Sequence, residues 1–98
     1  MSGNWWIGDF YPTCLKTTDF EICHAVHKSG QYWQPHFHKI ATEYNYLIRG
    51  RMLIHNKEIK PGEIFILKPY EIANPVFLED CEITVLKVPS IKNDKYPV

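Results

Sequence analysis

His36, His38 and Glu43 place two imidazoles and one carboxylate within eight residues. That is the ligand set of a two-histidine-one-carboxylate metal centre, which suits Fe(II) and also takes Mn, Ni, Co or Zn. The donor types do not choose among these ions, because affinity alone favours the later metals. A His-x-His pair is also common on exposed strand faces, where it is merely polar, so the surrounding frame has to decide. On a strand, alternate side chains share a face. Both imidazoles therefore point to one side if residues 36–38 are extended. Glu43 opens the next run and shares a face with Asn45 and Leu47. A connection that turns back between the two runs brings all three groups into one cavity.

The elements that must position them are short. The chain has 98 residues, which is one domain with room for a single modest core. Turn residues recur every eight to twelve positions: Pro12, Ser29-Gly30, Pro35, Gly50, Pro61-Gly62, Pro69, Pro75 and Pro89. Between them lie β-rich runs, and the spacing predicts strands at 20–27, 43–48, 51–55, 64–67 and 83–88. Asn56-Lys57 reads as a tight hairpin, and Pro61-Gly62 as the turn that opens Glu63 to Leu67. No window shows a helical stripe. The rhythm is that of an all-β sandwich or barrel.

Reading from Gly30, the spacing is G-x5-H-x-H-x4-E-x6-G, ending at Gly50. This resembles the first signature of the cupin superfamily, with every fixed position met. The second cupin signature is present only in part. Pro61-Gly62 and Pro69 match, with one extra residue between them, but Glu71 stands in place of a glycine and Asn74 in place of the last metal-binding histidine. The resemblance covers residues 20–90. It implies an all-β fold of the cupin type, a jelly-roll β-barrel occupying 1–98 as a single domain. The core barrel is then 20–90, and 1–19 is an N-terminal aromatic arm. It also implies that His36, His38 and Glu43 are the metal ligands, with Asn74 as a weaker amide donor in the fourth place. The implied cofactor is a divalent metal (Fe, Mn, Ni or Zn) or, if the degenerate second signature prevails, none. Cupins commonly pair, so a homodimer is expected.

Other residues are candidates for lesser roles. Tyr32, Gln34, Tyr44 or Asn45, and Tyr70 are read as pocket lining, since aromatic and amide groups suit a small polar ligand. Glu71 is a candidate acid or base at the cavity mouth, if burial raises its pKa. His24, His27 and His55 are each read first as ordinary strand or surface histidines, and only second as a missing ligand. Cys14, Cys23 and Cys81 form no C-x-x-C pair, which leaves a thiolate zinc knuckle unsupported. An odd count without a basic, apolar leader reads as reduced thiols in a cytoplasmic protein. Trp5, Trp6, Phe10 and Tyr11 are read as packing over the barrel end or across a dimer interface.

Composition bounds the function. Eleven basic residues balance eleven acidic ones, giving a formal net charge of zero. That disfavours nucleic acid as a partner, although it leaves room for a local basic patch. No run approaches the roughly 20 apolar residues of a membrane helix, so no membrane partner is expected. The expected partner is a small-molecule ligand. Three functions remain open on the sequence. One is a metal-dependent enzyme, a dioxygenase or a sugar isomerase or epimerase by resemblance. The second is a binding module for a sugar or organic acid. The third is a structural dimer with a vestigial site.

Overall fold

The computed structural model describes residues 5–98. Its elements are all strands. Among the described residues, no helix is long and apolar enough to cross a membrane. The strands are β1 (Trp5–Gly8), β2 (Leu15–Lys16), β3 (Glu21–His27), β4 (His36–Phe37), β5 (Thr42–Arg49) and β6 (Met52–Ile54). They continue with β7 (Lys57–Ile59), β8 (Ile64–Leu67), β9 (Val76–Phe77), β10 (Cys81–Val88) and β11 (Tyr96–Pro97). The main sheet has the order β2-β1-β3-β10-β5-β8. A three-stranded sheet, β7-β6-β9, shares its core, and β4 pairs with β11.

Alternation decides which side of the main sheet is wet. In β3, Glu21, Cys23 and Ala25 are buried, while Val26 is exposed. In β5, Asn45 and Leu47 are buried between exposed Tyr44, Tyr46 and Ile48. The register then stacks the inward residues in rows. Leu47 lies beside Ile83, which lies beside Ala25; Asn45 lies beside Val85, which lies beside Cys23. Leu47, Leu67, Cys81 and Ile83 of this sheet meet Met52, Ile54, Ile59 and Phe77 of the smaller one, and the hydrophobic core sits between the two.

The sheets do not join into one continuous hydrogen-bonded cylinder. Part of the reason is the link between β8 and β9, which carries Pro69 and Pro75 and so lacks two ladder donors. The β5–β6 link turns on Gly50, whose φ is +95°; a Cβ there would lie 2.3 Å from the Asp80 carbonyl oxygen. Only glycine fits, which gives a structural reason for the last fixed position of the first signature. The tight hairpin is one residue earlier than expected. His55 and Asn56 have φ of 51° and 61°, and Ile54 pairs with Lys57. Positive φ at both central residues defines the turn type whose twist matches the flanking strands. The aromatic N-terminal segment also takes a strand role. β1 pairs with both β2 and β3 and extends the main sheet. Trp6 and Phe10 are half-buried and Tyr11 is exposed, with the Lys16 ammonium 4.0 Å from the Tyr11 ring centre.

Candidate metal centre

His36 lies on β4, which is held on both sides. Its partner on one side is β11, and on the other His36 itself bridges Ala73. His38 follows after one residue, so both imidazoles face inward as strand parity requires, and each residue is only 6% exposed. The loop from 39 to 41 turns the chain back into β5. Asp94, from the C-terminal segment, fixes that loop. Its carboxylate accepts the backbone N–H groups of Lys39, Ile40 and Ala41 at 3.0, 3.1 and 2.9 Å. Burial alone would raise the Asp94 pKa, but these three donors outweigh it and hold it below the ordinary value. Glu43 then enters on β5, and its Oε2 lies 2.9 Å from His38 Nε2.

The second nitrogen of each ring carries the chemistry of the site. His36 Nδ1 lies 3.2 Å from the Gln34 carbonyl oxygen, and His38 Nδ1 bonds the Asp94 carbonyl oxygen. A carbonyl only accepts, so both Nδ1 atoms carry the proton. In the neutral ring Nε2 is then the free lone pair, which is the arrangement that orients metal-bound histidines. The ligand atoms of His36, His38 and Glu43 all lie within 4.8 Å of one another. One ion about 2.1 Å from each would need them about 3 to 4 Å apart, so a small contraction completes the site. The donor set therefore fits a divalent ion.

With a proton in place of an ion, His38 and Glu43 form a buried ion pair. Burial disfavours charge on His38, but hydrogen bonds to Glu43 and Asp94 outweigh it and raise its pKa. Burial also opposes charge on Glu43, and again the His38 contact wins and lowers its pKa. His36 differs. Burial lowers its pKa against the pull of the Gln34 carbonyl, so its ring is neutral at pH 7.

The centre opens into a cavity of about 530 Å³. Asn45 lines it, 5% exposed, and its Nδ2 has no hydrogen-bond partner in the protein. The other expected lining residues lie elsewhere. Tyr32 and Gln34 border a shallower depression beside Trp33, Lys95 and Pro97. Tyr70 is 66% exposed and stacks over Phe37. Glu71 accepts the Lys68 N–H at 2.9 Å within a turn and does not line the cavity. Asn74 is exposed and also outside the lining. The register explains the difference: Ala73 bridges His36 and faces inward, so its neighbour Asn74 faces out. The extra residue before Pro69 shifts the fourth position from Asn74 to Ala73, whose methyl cannot ligate.

The remaining histidines do not join the centre. His24 pairs with Glu82 at 2.8 Å, and His55 bonds the Ile72 carbonyl oxygen. His27 lines the cavity, but its ring stacks on Phe77 at 4.5 Å. Cys23 lines the cavity as a thiol; burial, then the charges of Glu43 and Glu21, push its pKa up to about 12. Four contributors escaped the sequence reading. Glu21 and Lys87 were available from the alternation of β3 and β10. Trp33 and Asp94 lie in irregular segments with no period to reveal them.

No family model matches the sequence, and no curated protein matches it either. Solved structures do resemble the fold. A conserved protein with a double-stranded β-helix domain from Klebsiella pneumoniae aligns with a TM-score of 0.70 at 22% identity, over 76% of this chain and 66% of that one. A cupin-2 domain containing protein from Shewanella frigidimarina aligns at 0.60 and 16% identity, over 74% of this chain and 72% of that one. The chain has the cupin fold. A third cupin-like neighbour is Pac13 from Streptomyces, a nucleoside dehydratase, at 0.70 and 11% identity over 84% of this chain and 70% of that one. This chain thus spans about two thirds of the Klebsiella protein. At such identities the shared property is the cupin framework, and the chemistry has to come from the residues.

Proposed function

We propose that this cupin binds a divalent ion (Fe, Mn, Ni or Zn) through His36, His38 and Glu43 and presents it to a small polar metabolite, a sugar or an organic acid. The observation that carries the reading is the paired Nδ1-to-carbonyl hydrogen bonding, which leaves Nε2 as the lone-pair nitrogen of both neutral rings in a group whose ligand atoms lie within 4.8 Å of one another. A bound ion would supply Lewis-acid chemistry at a substrate oxygen. The chain itself supplies the rest. Asp94 holds the 39–41 loop, and Asn45 offers an unused N–H to whatever lies in the cavity. With Ala73 in the fourth place, protein ligands leave positions open for substrate. A three-ligand site with open positions is the pattern of catalytic rather than structural centres. Elemental analysis of protein expressed with Fe or Mn supplementation tests this. About one ion per chain is expected for wild type and almost none for His36→Ala. Metal-free protein in both cases would overturn it.

A second reading follows from the 2.9 Å His38–Glu43 contact. This pair satisfies itself without a metal, as in a metal-free ligand-binding or structural cupin. Metal addition that leaves the melting temperature unchanged would favour it, since an ion selective for the folded state must raise that temperature.

The same reading includes a second copy of the chain as partner. Tyr44, Tyr46 and Ile48 on β5 and Ile64 and Ile66 on β8 are 40–62% exposed on the outer face of the main sheet. Tyr44 pairs with Ile66 and Tyr46 with Ile64, so the patch is continuous. Contiguous apolar patches beyond a few hundred Å² mark interaction sites. β8 is also a sheet edge, and the chain's zero net charge gives no net repulsion between copies. Cys14, Cys23 and Cys81, none of them in a disulfide, fit a reducing, cytoplasmic setting.

A further inference from the structure

The cavity gathers its carboxylates and its Lys87 ammonium at one end. Across the main sheet, Glu21, Lys87 and Glu43 form one inward row. The Lys87 ammonium lies 3.7 Å from Glu21, with both side chains 11% exposed. Asn45 follows one row deeper, and His36 and His38 face the same end. Beyond them the walls are Ala25, Ile83, Phe65, Met52, Ile54 and Phe77. On the open side stand Trp33 and the exposed Lys95, whose ammonium lies 5.4 Å from the Trp33 ring centre. Trp33, His36 and Lys95 border both the cavity and the outer depression, so the metal centre sits near the opening.

This layout bears on the two ligand classes left open above. A sugar carries hydroxyls around its whole ring, and each one buried without a partner costs its full desolvation penalty. Away from the charged end the lining offers such hydroxyls only His27, whose Nδ1 is unpartnered, and Gln31, too few to serve a whole sugar ring. Charge points the same way. Two carboxylates, Glu21 and Glu43, face two ammoniums, Lys87 and Lys95. A divalent ion held by neutral imidazoles then leaves positive charge without a partner. The orphan Asn45 Nδ2 adds a donor seeking an acceptor.

We infer that the ligand of this cavity is a monocarboxylic acid with an apolar, aromatic or branched body. Its carboxylate lies at the opening between the metal centre and Lys95, and its body enters the apolar interior. The inference rests on the metal-site reading above and narrows its ligand class. It also assigns Lys95 as a specificity residue.

Calorimetric titration with three probes tests it: phenylpentanoate, the matched phenylpentanol, and glucuronate, which has the same charge and heavy-atom count but a polar body. Each is titrated with and without Mn(II). Phenylpentanoate is expected to bind at least about tenfold tighter than either of the others, as one well-placed charged contact provides. The rank order is expected in both arms, because Lys95 and Asn45 remain without the ion, and Mn(II) is expected to tighten both carboxylates and leave the alcohol unchanged. Lys95→Gln is expected to weaken the acid several-fold and leave the alcohol unchanged. Glucuronate binding as tightly as the acid, alcohol and acid binding equally, or no probe binding would each overturn the inference. Failure of Mn(II) to bind at all, read in a separate metal titration, would overturn the metal reading instead.

Discussion

At the level of single residues, the centre depends on which nitrogen carries a proton. His38 and Glu43 share a contact that an ion would replace, so protons and metal compete for it. The competition has a definite sign in the metal-free protein. The folded His38 pKa is raised above its ordinary 6.5, so its contribution to stability is full below 6.5 and fades as pH rises through the folded value. The folded Glu43 pKa is lowered below its ordinary 4.5, so its contribution is full above 4.5 and fades as pH falls through the folded value. The pair is therefore expected to stabilise the metal-free protein most between about pH 4.5 and 6.5. Thermal melts across pH are expected to show that maximum for wild type and a flatter profile for Glu43→Gln. A profile unchanged by the substitution would contradict the ion pair. The three core residues of the centre were legible from their spacing together with the signature frame around them, because strand parity and one reversal bring them together and the frame separates them from an exposed His-x-His pair. Asn74 was not placed correctly, because a single inserted residue reverses every facing in a strand.

At the level of elements, two connections hold the strands in the positions the centre needs. The first is the 39–41 loop, which makes His38 and Glu43 converge through Asp94. Each of its three bonds is charge-assisted, and such bonds contribute about 1.5 to 3 kcal/mol apiece in favourable cases. Asp94→Asn keeps the shape but loses the charge and part of the acceptor capacity. It is expected to cost about 2 kcal/mol of stability in chemical denaturation, with metal affinity falling as well because the 39–41 loop is no longer held. The second connection is Gly50. Its backbone geometry and the nearby Asp80 carbonyl leave no room for a side chain. Gly50→Ala is expected to cost about 3 kcal/mol or more, whereas Gly30→Ala, which meets open space at φ +76°, is expected to cost less. The longer strands, β3, β5, β8 and β10, were visible in the sequence because their β-branched and apolar residues run between turn residues. Of the shorter strands, β6 was read within 51–55 and β7 was implied by the hairpin, whereas β1, β2, β4, β9 and β11 were not read from it. Such strands exist because neighbours pair with them, and too few residues are involved to show a period.

At the level of the whole molecule, the fold uses one face of its main sheet for the cavity and carries an apolar patch on the β5–β8 part of the other. If that outer face buries against a second copy, the contact is two-fold, with the same patch on both partners. Sedimentation at micromolar concentration is expected to give a dimer for wild type. Ile66→Lys, which places an ammonium at the patch centre in each copy, is expected to give a monomer that still binds metal. A wild-type monomer would remove the second copy from the proposal. The class of fold was legible in the sequence, since turn spacing and one intact signature both point to it. The cavity's division into a charged end and an apolar interior was not, because it arises from rows that cross four strands distant in sequence.

The central claim is that His36, His38 and Glu43 bind one ion together. Electron paramagnetic resonance of Mn(II) titrated into the metal-free protein tests it most directly. Quenching of the free-ion signal up to one equivalent per chain is expected, with the break abolished by Glu43→Gln and by His38→Ala while both variants remain folded. A free-ion signal that grows linearly from the first addition, or a one-equivalent break that survives both substitutions, would contradict it.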